Sequence, residues 1–96
     1  MRLKGKRAIV VGAGQTPGDT IGNGRAIAAV FAREGAQVLC VDRDAARAEA
    51  AAAEIGGVAF QADIVAPGAA DAIVAEAVAR FGGVDVLVNN VGIGGG

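Results

Sequence analysis

A few glycines and one aspartate carry the chemistry this sequence offers. Gly12 closes a short apolar run, and Gly22-Asn23-Gly24 opens a helical pattern. Glycine lets a backbone turn sharply and approach a bulky anion closely. A helix that begins there presents unpaired N–H groups, and the positive end of its dipole, to phosphate oxygens. Asp42 follows Gly22 by about 20 residues and ends a second apolar run. A carboxylate in that place can accept hydrogen bonds from ribose hydroxyls. It would also repel and crowd a 2′-phosphate, which favours NAD over NADP. Arg43 works against that preference, because a guanidinium can pair with the phosphate or lie over an adenine face. The plainer alternatives are a strand-to-helix turn whose glycines serve packing alone, and a capping or turn carboxylate at Asp42.

Several other chemistries are disfavoured or excluded. The strict Gly-x-Gly-x-x-Gly pattern is absent: Pro17 falls where Gly12-x-Gly14 would need its third glycine, and Ile27 where Gly22-x-Gly24 would. No Gly-Lys-Ser/Thr follows, so a nucleoside-triphosphate P-loop is excluded. Glu49 with Glu54, and Asp71 with Glu76, read as solvated charge on helical polar faces and not as catalytic carboxylate pairs. Cys40 is the only cysteine, so neither an internal disulfide nor a cysteine metal cluster can form. Between Leu39 and Val41 it reads as a small buried hydrophobe. Net charge is −1, and the basic residues are scattered apart from Arg2, Lys4, Lys6 and Arg7. That group reads as a solvated lead-in to the first strand. The alternative, a nucleic-acid or membrane patch, lacks the basic stripe it needs.

The elements that must position these groups follow from the apolar pattern. Arg7-Ala-Ile-Val-Val-Gly12 predicts a strand buried on both faces. Ala13 to Thr20 predicts a loop, and a helix starts at Asn23 or Gly24, with Ile27, Val30 and Phe31 on one face and Gly35 as its stop. Gln37–Asp42 predicts a second strand. Asp44 is a good N-cap for an alanine-rich helix that runs to Ile55. The stretch Ala45 to Ala53 suits close packing on a sheet, or alternatively a partner face. Val58–Ala62 predicts a third strand, leading to Asp63. Pro67 suits the first turn of a third helix, whose stripe is Ile73, Val74, Ala77, Val78 and Phe81. Asp85–Asn89 predicts a fourth strand before a glycine-rich exit. The alternation implies right-handed crossovers and a parallel sheet. The fold class is therefore α/β, a Rossmann-type doubly wound sheet. No apolar run approaches the ~20 residues of a membrane span, and the N-terminus lacks the apolar core of a signal peptide. The default compartment is the cytoplasm.

With these motifs in order, the chain resembles the short-chain dehydrogenase/reductase family, whose loop reads T-G-x-x-x-G-x-G. Gly12, Gly22 and Gly24 stand for its three glycines. Asp63, with Ile64 beside it, looks like the family's adenine-contacting acid, and Asn89-Asn90-Val91-Gly92 like its N-N-A-G motif. For Asp63, as for Asp42, the alternative is a turn carboxylate. For Asn89 and Asn90 the alternative is bracing of the strand ends. The chain departs from the pattern in places. Val11 replaces the usual threonine, Asn23 stands where Ile or Leu is common, and Gln15 to Thr20 reads as an insertion near the pyrophosphate. A second register through Gly14 and Gly18 would leave Thr20 in place of the last glycine.

The resemblance implies hydride transfer at a secondary alcohol or ketone by a Tyr-x-x-x-Lys pair with a serine. The lysine lowers the tyrosine pKa, so that the phenol can pass a proton. These 96 residues contain no tyrosine, serine or histidine, and their only lysines are Lys4 and Lys6. The expectation is that residues 1–96 are the N-terminal part of one dinucleotide-binding domain. The catalytic part would then lie in the C-terminal remainder of the same enzyme. The fourth strand would be an exposed edge, and the complete protein a homodimer or homotetramer. The competing expectation is a self-contained, non-catalytic nucleotide-binding or interaction module.

Overall fold

Two apolar runs form the centre of the sheet because both of their faces are covered. β1 (Arg7–Val11) and β2 (Gln37–Asp42) are buried at every position after the first. The computed structural model describes residues 4–12 and 23–89. Around β1 and β2 it places α1 (Asn23–Arg33), α2 (Ala45–Ile55), β3 (Val58–Gln61), α3 (Ala69–Phe81) and β4 (Val86–Asn89). The strands form one parallel sheet in the order β3-β2-β1-β4. The chain thus steps outward from β1 to β3 and returns to the other side of β1. Right-handed crossovers in opposite directions put their helices on opposite faces. On one face α1 and α2 cover Val10, Val38 and Cys40 with Ala28, Ala51 and Ala52. On the other, α3 covers Ile9, Val11, Leu39 and Val41 with Ile73 and Ala77.

The register fixes what lies at the carboxyl edge. Val11 pairs with Val41 and with Asn89, and Asp42 pairs with Gln61. One residue further, the Gly12 N–H donates to the Val41 carbonyl at 2.7 Å. Gly12 therefore lies level with Asp42.

Helix ends follow local chemistry. The Asp44 carboxylate accepts the Arg47 N–H at 3.2 Å, the capping bond expected of it. Gly56 closes α2 at φ +70°, a conformation that favours glycine. Small residues let α2 lie close to the sheet: Ala48, Ala51 and Ala52 are buried. At the opposite rim, Arg7 and Asp85 join the first and fourth strands. The Arg7 N–H and Nε donate to Asp85 Oδ2 at 2.8 and 2.9 Å, and the Asp85 N–H donates to the Arg7 carbonyl at 2.7 Å.

Some expectations need correction. Pro67 does not open the third helix. The Ala69 N–H donates to the Ala66 carbonyl at 3.1 Å, and Gly68 has φ +78° and ψ −1°. Pro67-Gly68 are thus the central pair of a type II turn, and the helix starts one residue later. Val30, Val74 and Val78 were expected on packed faces and are 41%, 41% and 49% exposed. They border the buried stripes without entering them. β4 begins at Val86 because Asp85 is engaged with Arg7, and β3 ends at Gln61, although the Ala62 N–H still donates to the Asp42 carbonyl at 3.0 Å. As expected, β4 stands at the sheet's edge among the described residues.

Candidate functional site

The strand order reverses between β1 and β4, and a crevice opens at the carboxyl ends of strands at such a switch point. Of the expected site residues, Gly12, Asp42, Asp63, Ile64 and Asn89 end strands or follow their carboxyl ends, and Asn23 and Gly24 open the helix after β1. Gly12 follows the last paired residue of β1 and has φ +77°. A side chain there would strain this left-handed backbone. Asn23 begins α1 and Gly24 is buried within its first turn. The N-terminal N–H groups of a helix have no partners inside the helix. Acidic residues are absent from the first turn of α1, so nothing there repels an anion. Gly22, Asn90 and Gly92, with the Gln15–Thr20 segment and Val91, lie outside the described residues.

Asp42 sits at the end of the second strand, 8% exposed. Its Oδ1 accepts the Asp44 N–H at 3.0 Å, so it does serve as a turn carboxylate. An ionised carboxylate has about four acceptor positions, and the turn role is compatible with ribose binding. Arg43 is exposed beside it. Asp63 is also a turn carboxylate. It accepts the Val65 N–H at 3.2 Å through Oδ1, and its carbonyl accepts the Ala66 N–H at 2.9 Å. Ile64 packs against the core on the α3 face. Asn89, paired with Val11, brings the fourth strand's end to the same rim.

Gln61 escaped the sequence reading. Its Nε2 donates to the Arg43 carbonyl at 3.1 Å, tying the end of β3 to the β2–α2 turn. The available signal was a lone polar residue in the apolar run Val58-Ala59-Phe60-Gln61-Ala62.

Groups elsewhere have structural partners. Arg25 and Glu54 meet at 2.6 Å, and Arg80 and Glu76 at 2.8 Å. The Arg25 hydrogen bond holds the Glu54 carboxyl below its usual range. Burial pushes the Cys40 thiol up to about 11, so it is neutral near pH 7, and it fills the α1 side of the core. Among the described residues no cluster of His, Cys, Asp and Glu is placed to hold a metal ion. No helix among them is long and apolar enough to cross a membrane. A small groove lined by Ala32, Gln37, Ile55, Gly57 and Phe81 lies at the opposite rim, away from this edge.

The chain is similar to several known proteins. A family model described as short chain dehydrogenase matches residues 6–96. The sorbitol dehydrogenase of Cereibacter sphaeroides is 40% identical over 95 residues, which cover 97% of this chain and 35% of that protein. A crystal structure of hydroxysteroid dehydrogenase from Escherichia coli superimposes with a TM-score of 0.78 at 39% identity. The match covers 92% of this chain and 37% of that one. A crystal structure of a short-chain dehydrogenase/reductase, so described only provisionally, from Burkholderia xenovorans matches with a TM-score of 0.77 at 47% identity. It covers 94% of this chain and 36% of that one. The chain thus spans about a third of the length of these relatives.

Proposed function

The chain belongs to the short-chain dehydrogenase family, and from that premise we propose that it forms the adenosine- and pyrophosphate-binding part of an NAD-dependent oxidoreductase acting on a secondary alcohol or ketone. The observation that carries this reading is Asp42, buried at the end of β2 and level with the left-handed Gly12 at the end of β1. The residues fit a dinucleotide. Gly12 offers a turn free of side-chain bulk, and the start of α1 offers N–H groups without intrahelical partners. Gly22, Asn23 and Gly24 line the pyrophosphate in this proposal. Asp42 accepts the ribose hydroxyls, and Arg43 covers the adenine. Asp63 and Ile64 lie at the adenine edge, while Asn89, Asn90 and Gly92 border the nicotinamide side.

NAD is preferred to NADP on electrostatic grounds. Two like unit charges 4 Å apart repel by about 4 kcal/mol at the effective dielectric of a protein surface. That exceeds what one exposed arginine recovers in a surface pair, roughly 0–1 kcal/mol. A bound nicotinamide dinucleotide would supply the hydride chemistry. The residues of this chain orient and hold the dinucleotide. In this proposal the proton would be passed by the tyrosine–lysine pair that the family resemblance implies, which is not among these 96 residues. A homodimer or homotetramer, as the family implies, in the cytoplasm as the default compartment, completes the reading.

Calorimetric titration of the full-length protein with NAD and NADP, before and after Asp42→Ala, tests the proposal. NAD should bind more tightly than NADP. The substitution should weaken NAD about tenfold or more, the worth of hydrogen bonds to a charged group, and narrow the gap to NADP. An unchanged NAD affinity in Asp42→Ala would show the ribose assignment to be wrong.

A further inference from the structure

Gln61 bears on Asp42 through a single peptide group. The Gln61 Nε2 donates to the Arg43 carbonyl at 3.1 Å. The N–H at the other end of that same peptide is that of Asp44, and it donates to Asp42 Oδ1 at 3.0 Å. A peptide group is planar, and its C=O and N–H cannot reorient independently. Fixing the carbonyl therefore fixes the direction of the N–H that holds the carboxylate. A hydrogen bond to the carbonyl also polarises the amide and strengthens its N–H as a donor, by about 10–30% in condensed phase. The Asp42 main chain is held from the same strand, since the Ala62 N–H donates to the Asp42 carbonyl at 3.0 Å. The ladder fixes the backbone of Asp42, and the Arg43–Asp44 peptide is one of the restraints on its side chain.

We propose that Gln61 is a positioning residue for cofactor binding: through the Arg43–Asp44 peptide it sets the Asp42 carboxylate in the orientation that receives the adenosine ribose. This rests on the ribose role of Asp42 proposed above. Gln61 touches no part of the cofactor in this scheme. Its effect should therefore be confined to ligands that carry the ribose hydroxyls Asp42 reads.

The test is a binding cycle on the full-length protein with NAD and with an NAD analogue whose adenosine is 2′,3′-dideoxy, which lacks both ribose hydroxyls that Asp42 accepts in this reading. Gln61→Leu removes the donor at similar volume, and Gln61→Glu removes it at similar shape. Each should weaken NAD about threefold to tenfold, the usual net worth of one hydrogen bond, and leave the dideoxy analogue's affinity within a factor of about two. Asp42→Ala combined with Gln61→Leu should bind NAD no more weakly than Asp42→Ala alone. Additive losses in that double variant, or equal losses for the two ligands, would overturn the positioning role. So would unchanged NAD binding in both Gln61 variants while Asp42→Ala alone loses affinity. If Asp42→Ala itself leaves NAD affinity intact, the ribose reading fails first, and the Gln61 proposal falls with it.

Discussion

At the scale of single residues, two glycines separate rigid from yielding surroundings. A Cβ built on Gly57 would lie 2.8 Å from the Val38 carbonyl oxygen, a main-chain atom next to the core of β2. The Gly57 N–H is meanwhile committed to the Ala52 carbonyl at 2.9 Å. Neither side can withdraw without breaking the α2–β3 connection. Gly57→Ala should therefore destabilise the protein by about 1–3 kcal/mol, the usual range for overpacking. A Cβ on Gly83 would come as close, 2.9 Å, but to the Arg7 guanidinium, the far end of a flexible side chain. Gly83→Ala should cost less than about 1 kcal/mol, since the guanidinium can shift. Urea midpoints for the two variants, measured side by side, check the contrast. Equal losses would mean that the Val38 main chain yields as readily as an arginine side chain. Nothing in composition distinguishes these glycines. Each is the second of a Gly-Gly pair after a helix, and only the neighbour across the fold separates them.

At the scale of elements, the boundaries readable in sequence are those marked by local chemistry. Asp44 before an alanine-rich run, and Gly56 after it, mark α2 at both ends, and the structure places cap and stop there. Asp44→Ala should cost about 1 kcal/mol through loss of the Arg47 N–H bond. Its ion pair with Arg47, 3.7 Å and partly exposed, adds little. Thermal melting of Asp44→Ala beside Asp44→Asn measures the cap, because asparagine keeps the acceptor without the charge. Asparagine should retain most of the stability, and an equal loss in both variants would assign the effect to the ion pair. Where two local rules compete, the sequence is ambiguous. Pro67 satisfies both the first turn of a helix and the second position of a type II turn. The glycine after it, at φ +78°, decides for the turn. The start of β4 moved by one residue for a non-local reason, since the partner of Asp85 is Arg7, 78 positions away.

At the scale of the whole molecule, the Arg7–Asp85 contact ties the fourth strand to the first at the rim opposite the candidate site. The hydrogen bond from Arg7 holds the Asp85 carboxyl below its ordinary value. A carboxylate with a depressed folded pKa contributes stability that is present above the unfolded value, about 3.9. That contribution is lost as pH falls through the folded value. Acid titration should therefore show Asp85→Asn less stable than the parent at neutral pH, with the difference shrinking below about pH 4. A constant difference down to pH 2 would mean that the ionised carboxylate is not what Arg7 reads. The apolar surface has its own distribution at this scale. Leu87, in register with Ile9 on the α3 face of β4, is 57% exposed, and Val74 and Val78 of α3 are also exposed.

Taken alone, the sequence determined the alternation of strands and helices, the parallel sheet, and the glycines and acids that end strands. These depend on periodicity and on backbone preferences confined to a few neighbouring residues. It also carried the family, because motifs in a fixed order survive without coordinates. Tertiary structure decided which of those end-of-strand residues share a row, with Gly12 level with Asp42 and Val11 beside Asn89. It also decided that Gln61 reaches the turn behind Asp42. The physical reason is the register of the ladder. Hydrogen bonds between strands set side chains from about 20 to about 80 residues apart in sequence at about 4.8 Å spacing, and no local pattern encodes which residue will be opposite which.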